Sequence, residues 1–118
     1  MVHRLLSQLI IIITHDCNLR CDYCLIDKRK NKIKADLARK AIRLFFNINK
    51  KNNETVTIKF FGGEPLLEFL LLRDLIEYTE KKYPKHTVQF YLSTNGILLS
   101  DKKIFNYLRS KKNIRIFL

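Results

Sequence analysis

Two features of the sequence predict an α/β fold with parallel strands. Apolar, β-branched runs alternate with charged, amphipathic runs from one end of the chain to the other. Each segment carrying cysteines, paired glycines or a Thr-Asn-Gly triplet directly follows an apolar run. Alternation of this kind favours parallel strands joined by right-handed crossovers, and in such folds chemistry gathers at the C-terminal ends of the strands. Periodicity leaves open whether the sheet is doubly wound or a piece of a (β/α) barrel.

The elements read in order. Residues 8–14 form a continuous β-branched run, expected to be a strand buried on both faces. A polar loop bearing the cysteines follows over about 15–31. Residues 34–51 read as a helix, with Leu37, Ala41, Phe45 and Ile48 on one face at spacings of three and four. A second strand over 55–61 ends in Gly62-Gly63. Pro65 stands where the first turn of a helix tolerates it, and the helix is expected over 66–83, stopped by Pro84. A third strand, 87–92, ends in Ser93-Thr94-Asn95-Gly96. Ser100 or Asp101 caps a third helix reaching about Lys111, and 113–118 is a fourth strand. The predicted order is β-α-β-α-β-α-β in a single domain over 1–118.

The chain is basic: 23 Lys and Arg stand against 11 Asp and Glu, a formal net charge of +12. Such a charge suits nucleic acid, an anionic membrane surface or an acidic substrate. The basic residues are spread over helix faces and ends with no aromatic-interleaved stripe, which argues against a nucleic-acid partner. The run from Leu9 to Ile13 is too short for a signal core or a membrane span. A cytoplasmic protein without a membrane partner is expected.

All three cysteines fall in Cys17-Asn18-Leu19-Arg20-Cys21-Asp22-Tyr23-Cys24. An odd, clustered set is a poor disulfide framework and a good metal site. Thiolates are the usual ligands of iron–sulfur clusters. Three at this spacing leave one iron without a protein ligand, an open position of the kind that separates catalytic from structural metal sites. The alternative is zinc, with His15 or His3 as fourth ligand, although zinc sites usually pair C-x2-C with a distant second pair.

The C-x3-C-x2-C pattern, with aromatic Tyr23 before its last cysteine, resembles the signature of the radical S-adenosylmethionine (SAM) superfamily. Its C-N-L-R-C form is similar to the peptide-modifying, sulfatase-maturating and cofactor-building branches. Gly62-Gly63-Glu64-Pro65 resembles the family's GGEP motif, and Thr94-Asn95-Gly96 its T-N-G segment. The resemblance implies the first half of a (β/α)6 partial TIM-like barrel. It implies that Cys17, Cys21 and Cys24 hold a 4Fe-4S cluster whose fourth iron is chelated by SAM. Tyr23 would lie against the adenine. The backbone at Gly62 and Gly63, with Glu64, would bind the methionine amino group, and Thr94 and Asn95 would line the cavity. Gly63→Val is then expected to weaken SAM binding while the cluster still assembles.

The implied chemistry is reductive cleavage of SAM to a 5′-deoxyadenosyl radical that abstracts hydrogen from a peptide or small-molecule substrate. The electron would come from a flavodoxin or ferredoxin. Two other classes stand beside it: an iron–sulfur carrier or sensor without SAM chemistry, which the GGEP motif disfavours, and a zinc-binding module. With three βα units and the start of a fourth strand, the chain is expected to be an N-terminal part that is inactive alone, whether from an interrupted gene, a split enzyme or a partial sequence. The substrate and the oligomeric state are not legible.

Overall fold

The computed structural model describes residues 7–16 and 32–118. Strands and helices alternate as β1 (Gln8–Thr14), α1 (Ala35–Ile48), β2 (Val56–Gly62), α2 (Phe69–Lys82), β3 (Val88–Ser93), α3 (Lys102–Ser110) and β4 (Ile114–Phe117). Short 3-10 turns, Pro65–Glu68 and Ile97–Ser100, precede α2 and α3. No helix of the described residues is long and apolar enough to cross a membrane.

The sheet runs β1-β2-β3-β4, every neighbouring pair parallel. Each new strand adds to the same edge, so the winding never reverses as it does in a doubly wound sheet. Ile11, Ile13, Ile58, Phe60, Phe90 and Leu92 face one side, in a single core with Ile42 and Phe46 of α1, Leu72 and Leu75 of α2, and Ile104 and Leu108 of α3. All three helices therefore cover one face. One-directional winding with one-sided helices is the wall of a (β/α) barrel, here its first three βα units and the fourth strand, as the resemblance implied.

Three sequence expectations are corrected. β1 is buried on one face only: Ile11 and Ile13 are buried, whereas Ile10 and Ile12 are about half exposed. Only the helix-covered face of this sheet is packed, and the other borders a cavity. The buried face of α1 is turned by about one residue from the expected stripe. Ala38, Ile42, Phe45 and Phe46 are buried, while Leu37 and Ile48 are exposed. The helix carries apolar side chains over a wide arc, so spacing alone fits two faces. Packing chooses, because Phe46 stacks on Tyr83 beyond α2 with ring centroids 4.1 Å apart. Burying one such phenylalanine contributes roughly 1.5–3 kcal/mol. The helix expected from residue 66 opens instead as a 3-10 turn at Pro65, and α2 proper starts at Phe69.

Of the two candidate caps for α3, Asp101 acts. Its carboxylate accepts from the N–H groups of Lys103 (2.9 Å) and Ile104 (3.3 Å). Outside the core, Arg39 of α1 pairs with Asp74 of α2, and Lys111 beyond α3 pairs with Glu80 of α2. These pairs join consecutive helices across their exposed seams.

Candidate functional site

The ends of β1, β2 and β3 meet at one edge of the sheet. The β1–β2 register slips between Ile12 and Thr14, so Thr14 lies opposite Gly62. A bulge of this kind re-aims the strand at the rim of a sheet. The slip lets the Thr14 carbonyl accept from Gly63 N–H (2.9 Å) and the Asp16 carbonyl from Glu64 N–H (2.7 Å). The glycine turn is thereby laid directly against the chain leaving β1.

That closeness explains the glycines. A Cβ on Gly63 would stand 2.1 Å from the Asp16 carbonyl oxygen, and one on Gly62 would stand 2.2 Å from that of Thr14. Gly62 also has φ +137°, a conformation that side chains resist. The N–H groups of Gly63 and Glu64 are both spent on the end of β1 and the chain leaving it, so neither is left to donate to a ligand.

Glu64 is fully buried. The Thr94 hydroxyl lies 2.5 and 2.7 Å from its two carboxylate oxygens, and Asn95 N–H donates to one of them at 3.2 Å. Thr94 Oγ1 in turn accepts from Gly96 N–H, and Asn95 Oδ1 from Ile97 N–H. The two motifs after β2 and β3 are thus a single clasp, with a buried carboxylate bonded to neutral donors. Among the described residues Glu64 has no cationic partner.

Cys17, Cys21, Cys24 and Tyr23 lie outside the described residues. The two ends of their segment are described. At one end, Asp16 bonds to Glu64. At the other, Lys32 bridges Thr14 and Ile33 N–H donates to the Ile13 carbonyl (2.9 Å). Asp16 and Lys32, the described residues on either side of 17–31, thus both lie at the end of β1, with Asp16 bonded to the glycine turn. Among the described residues no group of His, Cys, Asp and Glu could hold a metal ion. Of the expected site residues, Gly62, Gly63, Glu64, Thr94 and Asn95 are brought together at this edge. Thr14 and Asp16, whose carbonyls seat the turn, were not foreseen, because a backbone acceptor leaves no residue-type signal.

Below the edge, on the face without helices, a cavity of about 410 Å³ is lined by Ile10, Lys59, Phe61, Tyr91, Ser93 and Phe117. These side chains come from all four strands, and strand alternation could have grouped them.

The chain matches the sequence model of the radical SAM superfamily over residues 11–118. An uncharacterised protein of Methanocaldococcus jannaschii is 33% identical over 98 residues, covering 82% of this chain and 33% of that protein. A cysteine-type anaerobic sulfatase-maturating enzyme of Clostridium novyi is 31% identical over 106 residues, covering 81% of this chain and 28% of the enzyme. A solved structure described as anSMEcpe with bound AdoMet superposes with a TM-score of 0.74 at 28% identity, over 94% of this chain and 30% of that one. This chain spans about a third or less of the length of these relatives. With its one-way parallel sheet, its three motifs in order and a family match over nearly its whole length, the chain belongs to the radical SAM superfamily.

Proposed function

We propose that this chain supplies the cluster-binding and SAM-binding part of a radical SAM enzyme. When bound, a 4Fe-4S cluster and SAM supply one-electron reductive cleavage of the sulfonium and, through it, hydrogen abstraction from a peptide or small-molecule substrate. Cys17, Cys21 and Cys24 would hold the cluster by three thiolates and leave one iron open. Carbonyl oxygens of the Gly62-Gly63 turn would accept from the amino group of SAM. Glu64 acts behind them: its buried carboxylate fixes the Thr94-Asn95 loop and places negative charge next to the same amino group. Tyr23 would cover the adenine, and Thr94 and Asn95 would border the cavity. A flavodoxin or ferredoxin would deliver the electron from outside.

The observation that carries this reading is the bond from Glu64 N–H to the Asp16 carbonyl, which ties the residue before Cys17 to the glycine turn. That bond supports a cluster site and a SAM site that are neighbours on one edge. The test is anaerobic reconstitution of the chain with iron and sulfide, then reduction with and without SAM, followed by electron paramagnetic resonance. Iron uptake with a visible chromophore is expected, lost in Cys17→Ala, Cys21→Ala and Cys24→Ala. SAM should alter the reduced cluster's spectrum. Zinc retained in place of iron, or a chromophore surviving any one cysteine substitution, would overturn the ligand set. A spectrum indifferent to SAM would leave an iron–sulfur carrier or sensor.

A further inference from the structure

The cavity face of the sheet is arranged in rows, because parallel strands in register bring equivalent residues side by side. Ile12, Phe61, Ser93 and Phe117 form the row nearest the site edge. Two residues further down, about 7 Å at 3.3 Å per residue, Ile10, Lys59, Tyr91 and Arg115 form the next. The upper row is mostly aromatic and aliphatic. The lower holds two cations, one strand to either side of a tyrosine.

Among the described residues these cations have no acidic counterpart. None of the chain's 11 Asp and Glu residues lies in any of the four strands. Neither Lys59 nor Arg115 forms an ion pair among the described residues. Lys59 is only partly exposed, and its ammonium sits 5.4 Å from the centre of the Tyr91 ring. That ring holds the charge over the cavity without neutralising it. A charge set into an apolar wall costs stability unless something pairs with it. Lys59 and Arg115 are two strands apart, about 10 Å between backbones. Their long side chains can reach a common point above Tyr91.

We propose that Lys59 and Arg115 bind an anionic group, carboxylate or phosphate, at one end of the substrate, with the Ile10, Phe61 and Phe117 walls taking its apolar part. The anion would anchor in the lower row, and the reacting C–H bond would then lie higher, toward the edge bearing Glu64 and the start of the cysteine segment. This inference rests on the proposed function for its word "substrate". Its test needs neither iron nor SAM, so the two readings can fail separately.

The experiment is a titration of the 118-residue chain with hexanoate, phenyl phosphate and 1-hexanol, followed by nitrogen–proton correlation NMR. Saturable shifts centred on Lys59, Tyr91 and Arg115 are expected with one or both anions, the tighter identifying the preferred group. Hexanol, with the same apolar tail as hexanoate, should bind at least tenfold more weakly than the preferred anion. Lys59→Met and Arg115→Gln should each weaken the anion about tenfold, the effect of one charge-assisted hydrogen bond, and Lys59→Arg should restore most of it. Far-UV circular dichroism checks each variant's fold. Arg115 is exposed, so its variant decides the matter should Lys59→Met not fold. Hexanol binding as tightly as the preferred anion, unchanged affinity in the variants, or shifts spread without saturation over surface lysines would each overturn the proposal.

Discussion

Alanine at Gly63 tests how tightly the glycine turn is seated on β1. Its methyl carbon would stand 2.1 Å from the Asp16 carbonyl oxygen and 2.7 Å from the Asp16 carbonyl carbon. Side chains do not approach such atoms within 3.0 Å, so the two segments must part by 3.0 minus 2.1, or 0.9 Å. The bonds from Gly63 to Thr14 (2.9 Å) and from Glu64 to Asp16 (2.7 Å) then stretch beyond hydrogen-bonding range. Each lost bond costs about 1 kcal/mol, and overpacking about 1–3 more, giving roughly 4 kcal/mol in all. For a domain whose urea dependence is about 2 kcal/mol per M, the unfolding midpoint falls by about 2 M. The assay is urea unfolding of the 118-residue chain by circular dichroism, paired with iron content after reconstitution. Asp16 adjoins Cys17, so iron loading should fall together with stability. This departs from the sequence-based expectation that a Gly63 substitution spares the cluster. A midpoint within about 0.5 M of the parent would refute the packing argument. A lowered midpoint with full iron loading would refute its transmission to the cysteine segment.

Other outcomes follow from the same geometry. Thr94→Val removes the hydroxyl from the buried Glu64 carboxylate and should cost about 2 kcal/mol by urea unfolding, whereas Thr94→Ser should cost less than about 1. Asp101→Ala removes the cap of α3 and should cost about 1 kcal/mol, with Ser100→Ala nearly silent in the same assay. Burial, reinforced by Glu77 and Glu80, pushes the Tyr107 hydroxyl up to about 12. Its folded-state value lies above the unfolded one, so the folded chain holds the proton that the unfolded chain releases. Its contribution is intact below pH 10 and is lost as pH rises from about 10 to about 12. Tyr107→Phe should flatten that part of the stability–pH profile, and an unchanged slope would remove Tyr107 from the account.

Element type and order were legible because buried apolar runs, Pro65, Pro84 and the glycine pair punctuate the chain by local chemistry. The motif residues Gly62, Gly63, Glu64, Thr94 and Asn95 could be named, but not their mutual bonds. The Glu64–Thr94 contact spans a separation of 30 residues and exists only because the parallel register brings two strand ends together. Spacing alone leaves the buried face of α1 open, because Leu37, Ala41 and Ile48 satisfy helical spacing as well as Ala38, Ile42 and Phe46 do. A stacking partner far along the chain, Tyr83, separates the two. Strand β1 is ambiguous for a related reason. An unbroken isoleucine run says that both faces are apolar, and only the fold says that one of them borders a cavity.

The bridge between Thr14 and Lys32 has an entropic consequence. Asp16 on one side of the cysteine segment and Lys32 and Ile33 on the other are each bonded at the site edge by the fold itself. Drawing together the ends of a free chain of that length costs roughly 2 kcal/mol in loop-closure entropy. Folding of the sheet has already met that cost before any metal arrives. If Cys17, Cys21 and Cys24 bind a cluster as proposed, less of the entropy of ordering their segment remains to be met when the metal binds.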